Sequence, residues 1–220
     1  MAKYRAEIER DFLNAYSDDF LRDAVRALYI VYRAADEECR ASYPPPIAHD
    51  LYPQLRYAMI ERELLAIAEN YAEIKASSEP NHTGNSYFTL LSSNNVFLTA
   101  NVVDSPNRLI RYARFRDTYA QLSTPNLFGE PPQEGEILYG ILLHGPEMSG
   151  RAQPEFAHIV FPNRDCSEYV GRIDLLASLA ETDTTRWADE EENIPDTAYP
   201  SLRPGVERKN DEEGAGDNAG

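Results

Sequence analysis

The hydrophobic period changes once along this chain, and that change restricts the fold more than any other feature. Through residues 3–76, apolar residues return every three or four positions, the repeat that lines one face of an α-helix. From residue 86 onward the apolar segments are short, rich in β-branched and aromatic residues, and separated by turn formers, which is the signature of strands. Helices first and strands afterwards specify an α+β domain rather than alternating βα units.

Within the helical part, Ile8, Phe12, Leu13 and Tyr16 form one stripe, and Leu21, Val25, Leu28, Tyr29 and Tyr32 a second behind Asp18 and Asp19 as capping residues. "SYPPPIAHD" (42–50) interrupts the pattern, because proline cannot continue a helix interior. A third helix starting near Asp50 or Pro53 would bury Leu55, Met59, Ile60, Leu64, Ile67, Ala68 and Tyr71. The expected product is an antiparallel layer of about three helices. After a loop at "SEPNHTGN" (78–85), "SYFTLL" (86–91) and "NVFLTANVV" (95–103) read as a hairpin turning at "SSNN" (92–95). "ILYGILLHG" (137–145) and "FAHIVFP" (156–162) read as the next two strands, joined by the loop 145–155. A connection over 123–136 precedes them, and a last helix over 167–179 follows, with Val170, Ile173, Leu176 and Ala177 as its apolar side. The expected domain spans 1–180, with a helical part over 3–76 and a β-rich part over 86–180. It carries a four-stranded, mostly antiparallel sheet and two further helices.

Charge divides the chain differently. The formal net charge is −16, and residues 181–220 hold twelve Asp and Glu against four Lys and Arg. Half of the net charge therefore lies in under a fifth of the length, in a segment with almost no core-forming residues. Such a composition gives an acidic, largely disordered tail. An acidic body repels nucleic acid and anionic membranes at long range and favours basic partners. No apolar run approaches the length of a membrane span, and Cys39 and Cys166 make no disulfide framework. These features give the expectation of a cytoplasmic protein.

Against that balance, "SPNRLIRYARFR" (105–116) packs four arginines into nine positions. Asp104, Ser105 and Pro106 form a good helix start, so a helix over 106–122 is expected. At about 100° per residue, Arg108, Arg111 and Arg114 share an arc of roughly 120°, while Arg116 falls beside Tyr112, Ala113, Tyr119 and Ala120 on the face that should be buried. A buried guanidinium needs a partner, and Asp174 is one candidate. The candidate binding residues are therefore Arg108, Arg111, Arg114, Arg116, Tyr112 and Tyr119, since Arg and Tyr dominate protein interfaces.

No motif fixes a reaction. The sequence has no phosphate-loop spacing, no nucleophile elbow and no metal-ligand spacing among His49, His82, His144 and His158, so neither metal nor cofactor is expected. The favoured expectation is a non-catalytic acidic protein that binds a protein partner, as an inhibitor, an antitoxin- or immunity-like protein or an accessory subunit. One alternative is an enzyme with a site built from His144, His158 and Arg116. His144 and His158 would be neighbours if their strands pair as a hairpin, unless strand alternation separates the rings. Another is a nucleic-acid binder that uses the 106–122 helix, with arginines for phosphates and rings for bases.

Overall fold

A computed structural model describes residues 2–123, 137–146 and 152–180. Three helices come first: α1 (Ala2–Ala15), α2 (Asp18–Ser42) and α3 (Pro45–Ala68). The Ser17 hydroxyl accepts the Phe20 N–H at 3.3 Å and caps α2, with Asp18 and Asp19 in the first turn beside the positive end of the helix dipole. The triple proline takes less chain than expected. Pro44 stands at the N-cap of α3 and Pro45 opens the helix, where a missing N–H is harmless, so α3 starts before Asp50 and runs through Pro53.

The sheet has six strands rather than four: β1 (Lys75–Pro80), β2 (Tyr87–Ser93), β3 (Val96–Val102), β4 (Leu138–Pro146), β5 (Pro154–Pro162) and β6 (Tyr169–Asp174), ordered β1-β2-β3-β4-β5-β6. All neighbours are antiparallel except β3 and β4, which are parallel. The two additional strands lie at the edges. β1, "KASSEP", sits where the loop 78–85 was expected to begin. It is polar and mostly exposed, so it lacks the apolar alternation that marks half-buried strands. β6 replaces the first half of the helix expected over 167–179. Its pairing with β5 fixes Ile173 against Ile159, and only Leu175–Ala180 is helical (α5).

The turn at 92–95 forms as expected. Asn94 and Asn95 both adopt left-handed backbone, with φ of 47° and 63°. This is the two-residue turn whose twist matches a hairpin and for which asparagine is among the few suitable residues.

The helices cover one face of the sheet. Phe12, Tyr16, Phe20, Leu21, Leu28 and Tyr32 are buried there with Leu91, Leu98, Leu142, Ile159 and Phe161. Residues at even positions of β4 point to this side and those at odd positions to the other, as the pleat requires. The opposite face buries Tyr139, Ile141, Leu143, Phe156 and Val160 beneath Val103, Ile110 and Ala120. Those three residues flank or belong to α4 (Arg114–Leu122), on the crossover between β3 and β4. Gly145 lets that crossover leave the sheet. A Cβ there would lie 2.4 Å from both the Val103 carbonyl oxygen and the Phe156 ring.

α3 is fastened to the sheet by a polar clamp. The β2–β3 ladder runs only from Leu91–Leu98 to Ser93–Val96, so the Thr89 N–H has no β3 partner. The Glu61 carboxylate accepts it at 2.5 Å, and the Thr89 hydroxyl donates to the Glu61 carbonyl at 2.8 Å. Burial raises the pKa of Glu61, only partly offset by the Thr89 hydrogen bonds. The folded chain therefore holds that proton more tightly than the unfolded chain. The carboxylate accordingly costs stability as pH rises through and above the usual carboxylate range. Glu61→Ala should destabilise by about 1–3 kcal/mol, because it strands a buried N–H. Glu61→Gln, which keeps an acceptor, should stay within about 1 kcal/mol and flatten that pH dependence. Urea unfolding at several pH values measures both.

Candidate interaction surface

The arginine segment does not form the helix expected over 106–122. Residues 103–113 are irregular, and the helix begins at Arg114. Arg108, Arg111 and Arg114 therefore do not share a helical face. The reason lies in what pins the segment. The Arg172 side chain, from β6, donates to the Pro106 carbonyl at 2.7 Å and to the Asn107 side-chain oxygen at 3.0 Å. The Tyr169 hydroxyl donates to the Arg108 carbonyl at 3.2 Å and accepts the Ile110 N–H at 3.1 Å. Arg116 donates to the Arg111 carbonyl at 3.1 Å. Ile110 is driven into the second core as an anchor. Backbone groups that a helix would satisfy internally are bonded here by side chains of the sheet and of α4.

These bonds hold a loop whose remaining side chains face outward. Tyr112 is 79 % exposed and Leu109 43 %, and Arg108, Arg111 and Arg114 are exposed as well. Arg108 pairs with Asp104, and Arg114 lies 2.6 Å from His82 Nε2. The predicted set therefore divides in two. Arg108, Arg111, Tyr112 and Arg114 face outward. Tyr119 is half-buried against Phe97 and Tyr139, and Arg116 turns inward.

Arg116 is partly buried, in the first turn of α4 rather than on the buried face of a 106–122 helix, and Asp174 is not its partner. Its guanidinium donates to the Asn101 side-chain oxygen at 2.5 Å and to the Arg111 carbonyl, and packs 4.9 Å from the Phe115 ring centroid. Asp174 instead faces His158, at 3.6 Å, and accepts the Ala177 N–H at the start of α5.

The two histidines are also separated. In the β4–β5 register His144 lies opposite Ala157, and His158 opposite Leu143. Alternation then places His144 on the helix-covered face and His158 on the other, so His144, His158 and Arg116 do not converge. Burial lowers the pKa of His158, with Asp174 acting against the shift. Among the described residues no group of three or more His, Cys, Asp or Glu could hold a metal ion.

His144 belongs instead to a cluster with three residues outside the predicted set. Its Nδ1 lies 2.8 Å from the Tyr32 hydroxyl, and the rings meet edge to face. Arg56, on α3, stacks over the Tyr32 ring at 4.5 Å and the Tyr52 ring at 4.9 Å. Burial, reinforced by the positive charge of Arg56, pushes the His144 pKa down to about 3, so the imidazole stays neutral and bonds a protonated phenol. The sequence does carry a signal for Arg56. It interrupts the row Tyr52, Ile60, Leu64 and Ala68 at four-residue spacing.

The lowered His144 pKa stabilises the fold above about pH 6.5 and withdraws that stability as pH falls toward 3, because the unfolded chain takes up a proton that the folded chain refuses. The loss should reach on the order of 4 kcal/mol at the acid end. His144→Gln should show a shallower fall in melting temperature between pH 6.5 and 4 than the wild type.

The tail over 181–220, the connection over 124–136 and the loop residues 147–151 lie outside the described residues. Among the described residues no helix is long and apolar enough to cross a membrane. No protein-family model matches the chain, and no curated protein or solved structure is similar enough to suggest a family or an activity.

Proposed function

We propose that this chain is a non-catalytic interaction protein and that the segment 104–114 is its partner-binding surface. The observation that supports this reading is an exposed Tyr112, beside Leu109 and Arg111, on a backbone fixed by Tyr169, Arg172 and Arg116. Large aromatic and arginine side chains carry most of the energy at protein interfaces. A loop held in shape before binding loses little conformational entropy when it docks. Irregular segments displayed on a rigid scaffold are where binding residues concentrate.

Charge narrows the partner. Arg108 is already engaged by Asp104, which leaves Arg111 as the guanidinium best placed for an intermolecular carboxylate. Residues 1–180 hold 25 acids and 17 bases, so the body around this patch is acidic. A partner whose wider surface is basic, with a local carboxylate for Arg111 and a pocket for the Tyr112 ring, satisfies both. Long-range charge then steers the encounter, and the local pair fixes the register.

Affinity purification of the full-length protein from its native host tests the reading. A stoichiometric partner should be retained by the wild type and lost by Tyr112→Ala/Arg111→Glu. The same double variant should melt within about 2 °C of the wild type, since neither side chain is buried. Tyr169→Phe, which leaves every outward side chain in place but frees the loop backbone, should weaken binding several-fold, mainly through faster dissociation. Equal retention of the partner by wild type and double variant would remove this surface from consideration.

A further inference from the structure

The core beneath the helices holds a positive charge that no carboxylate among the described residues answers. Arg56 is 4 % exposed. Among the described residues no carboxylate lies within ion-pair distance of it, and its Nε is buried without an acceptor. The acid nearest the cluster in charge effect is committed elsewhere. Asp36, whose charge reaches Tyr52, pairs with Arg40. The guanidinium lies over the Tyr32 ring at 4.5 Å and the Tyr52 ring at 4.9 Å from the centroids, and its charge acts on the Tyr52 hydroxyl. Ring faces attract a cation, but they do not use its N–H donors. Arginine remains ionised throughout the accessible pH range, so it cannot relieve burial by shedding a proton as lysine or histidine does. A buried, ionised and under-bonded guanidinium is stable when an anion completes it.

The surroundings select the kind of anion. The cluster carries a single formal charge, because His144 is neutral and the tyrosines keep their protons. One positive charge balances a monoanion and leaves a phosphate dianion under-compensated inside a molecule of net charge −16. The planar guanidinium fork matches a carboxylate edge to edge, and the Tyr52 hydroxyl can donate to one of its remaining lone pairs. Tyr52 is only half-buried, so it is the part of the frame an incoming ligand meets first.

We propose that Arg56, framed by Tyr32, Tyr52 and His144 between α2, α3 and the end of β4, anchors a binding site for a small carboxylate ligand. The site lies on the helix-covered face of the sheet, opposite the 104–114 segment, and is independent of the partner-binding reading.

Thermal unfolding of the full-length protein in acetate, propionate or benzoate tests this, against chloride and inorganic phosphate at matched ionic strength. At ten times its dissociation constant, the best carboxylate should raise the melting temperature by about 3–6 °C over chloride, while phosphate should match chloride. Arg56→Met should lose the carboxylate shift and, without ligand, melt no lower than the wild type, because it removes an uncompensated buried charge. Arg56→Lys should lose most of the shift, since an ammonium lacks the fork. Should Arg56→Met fail to fold, Tyr52→Phe provides the second arm: it keeps the ring, removes the hydroxyl and should weaken carboxylate binding several-fold. The proposal is overturned by any of three results: no shift with all three carboxylates, a larger shift with phosphate, or an unchanged carboxylate shift in Arg56→Met, or in Tyr52→Phe where that arm is used.

Discussion

The parallel pairing of β3 with β4 sets the rest of the architecture. Two antiparallel neighbours can be joined by a tight turn, but a parallel pair needs a crossover that travels the length of the sheet and returns. Here that crossover leaves β3 after Val102 and re-enters at Leu138. One face of the sheet is already occupied by α1, α2 and α3, so the crossover covers the other. Ile110 and Ala120 become the lid of the second core, and Arg108, Arg111 and Arg114 are brought to the surface. The basic segment is exposed because of where the connection must run, not because a helix displays it.

Arginine is used in three different ways around the crossover and the helix-covered core. Arg116 and Arg172 act as backbone anchors, donating to carbonyls of the crossover that regular structure would otherwise have satisfied. Arg111 and Arg114 lie exposed, with Arg108 held by Asp104. Arg56 is buried between two tyrosine rings without a carboxylate partner among the described residues. The first use gives the crossover a fixed shape, and the second gives it something to present. The third places an unmatched charge beneath the helices on the opposite side of the sheet. The residue type is the same in each case, and the accessible acceptors decide the role.

Much of the fold was legible because its determinants are local. The helical stripes around Phe12, Leu28 and Leu64 follow from periodicity, as do the central strands around Leu98, Leu142 and Ile159. Asn94 and Asn95 announce their turn because few other residues tolerate two successive left-handed conformations. The edge strands were not legible. "KASSEP" has no apolar alternation, and Tyr169, Val170 and Ile173 suit a helix as well as a strand until β5 offers its free edge. The candidate surface was half legible. The residues Arg108, Arg111, Tyr112 and Arg114 do face outward, but the helix that was to display them is absent. Proline and capping residues at 104–106 carry a real helical signal, and side-chain donors from Tyr169 and Arg172, some sixty positions away, outweigh it.

Arg56 marks the same boundary from the other side. An arginine inside an apolar row is driven into the core, and Arg56, in its row with Tyr52, Ile60 and Leu64, meets that condition at least as strongly as Arg116 beside Ala113 and Ala120. Local sequence settled that helices precede strands, where the first helices and the four central strands lie, and which of their faces must be covered, because these depend on side-chain period and backbone sterics within a few residues. Only the tertiary structure decided that β3 and β4 run parallel, that His144 and His158 lie on opposite faces, and that Arg116 is answered by Asn101 and a carbonyl while Arg56 is not. Those outcomes depend on which distant groups arrive within about 3 Å, and strand register and crossover path, rather than local preference, set those arrivals.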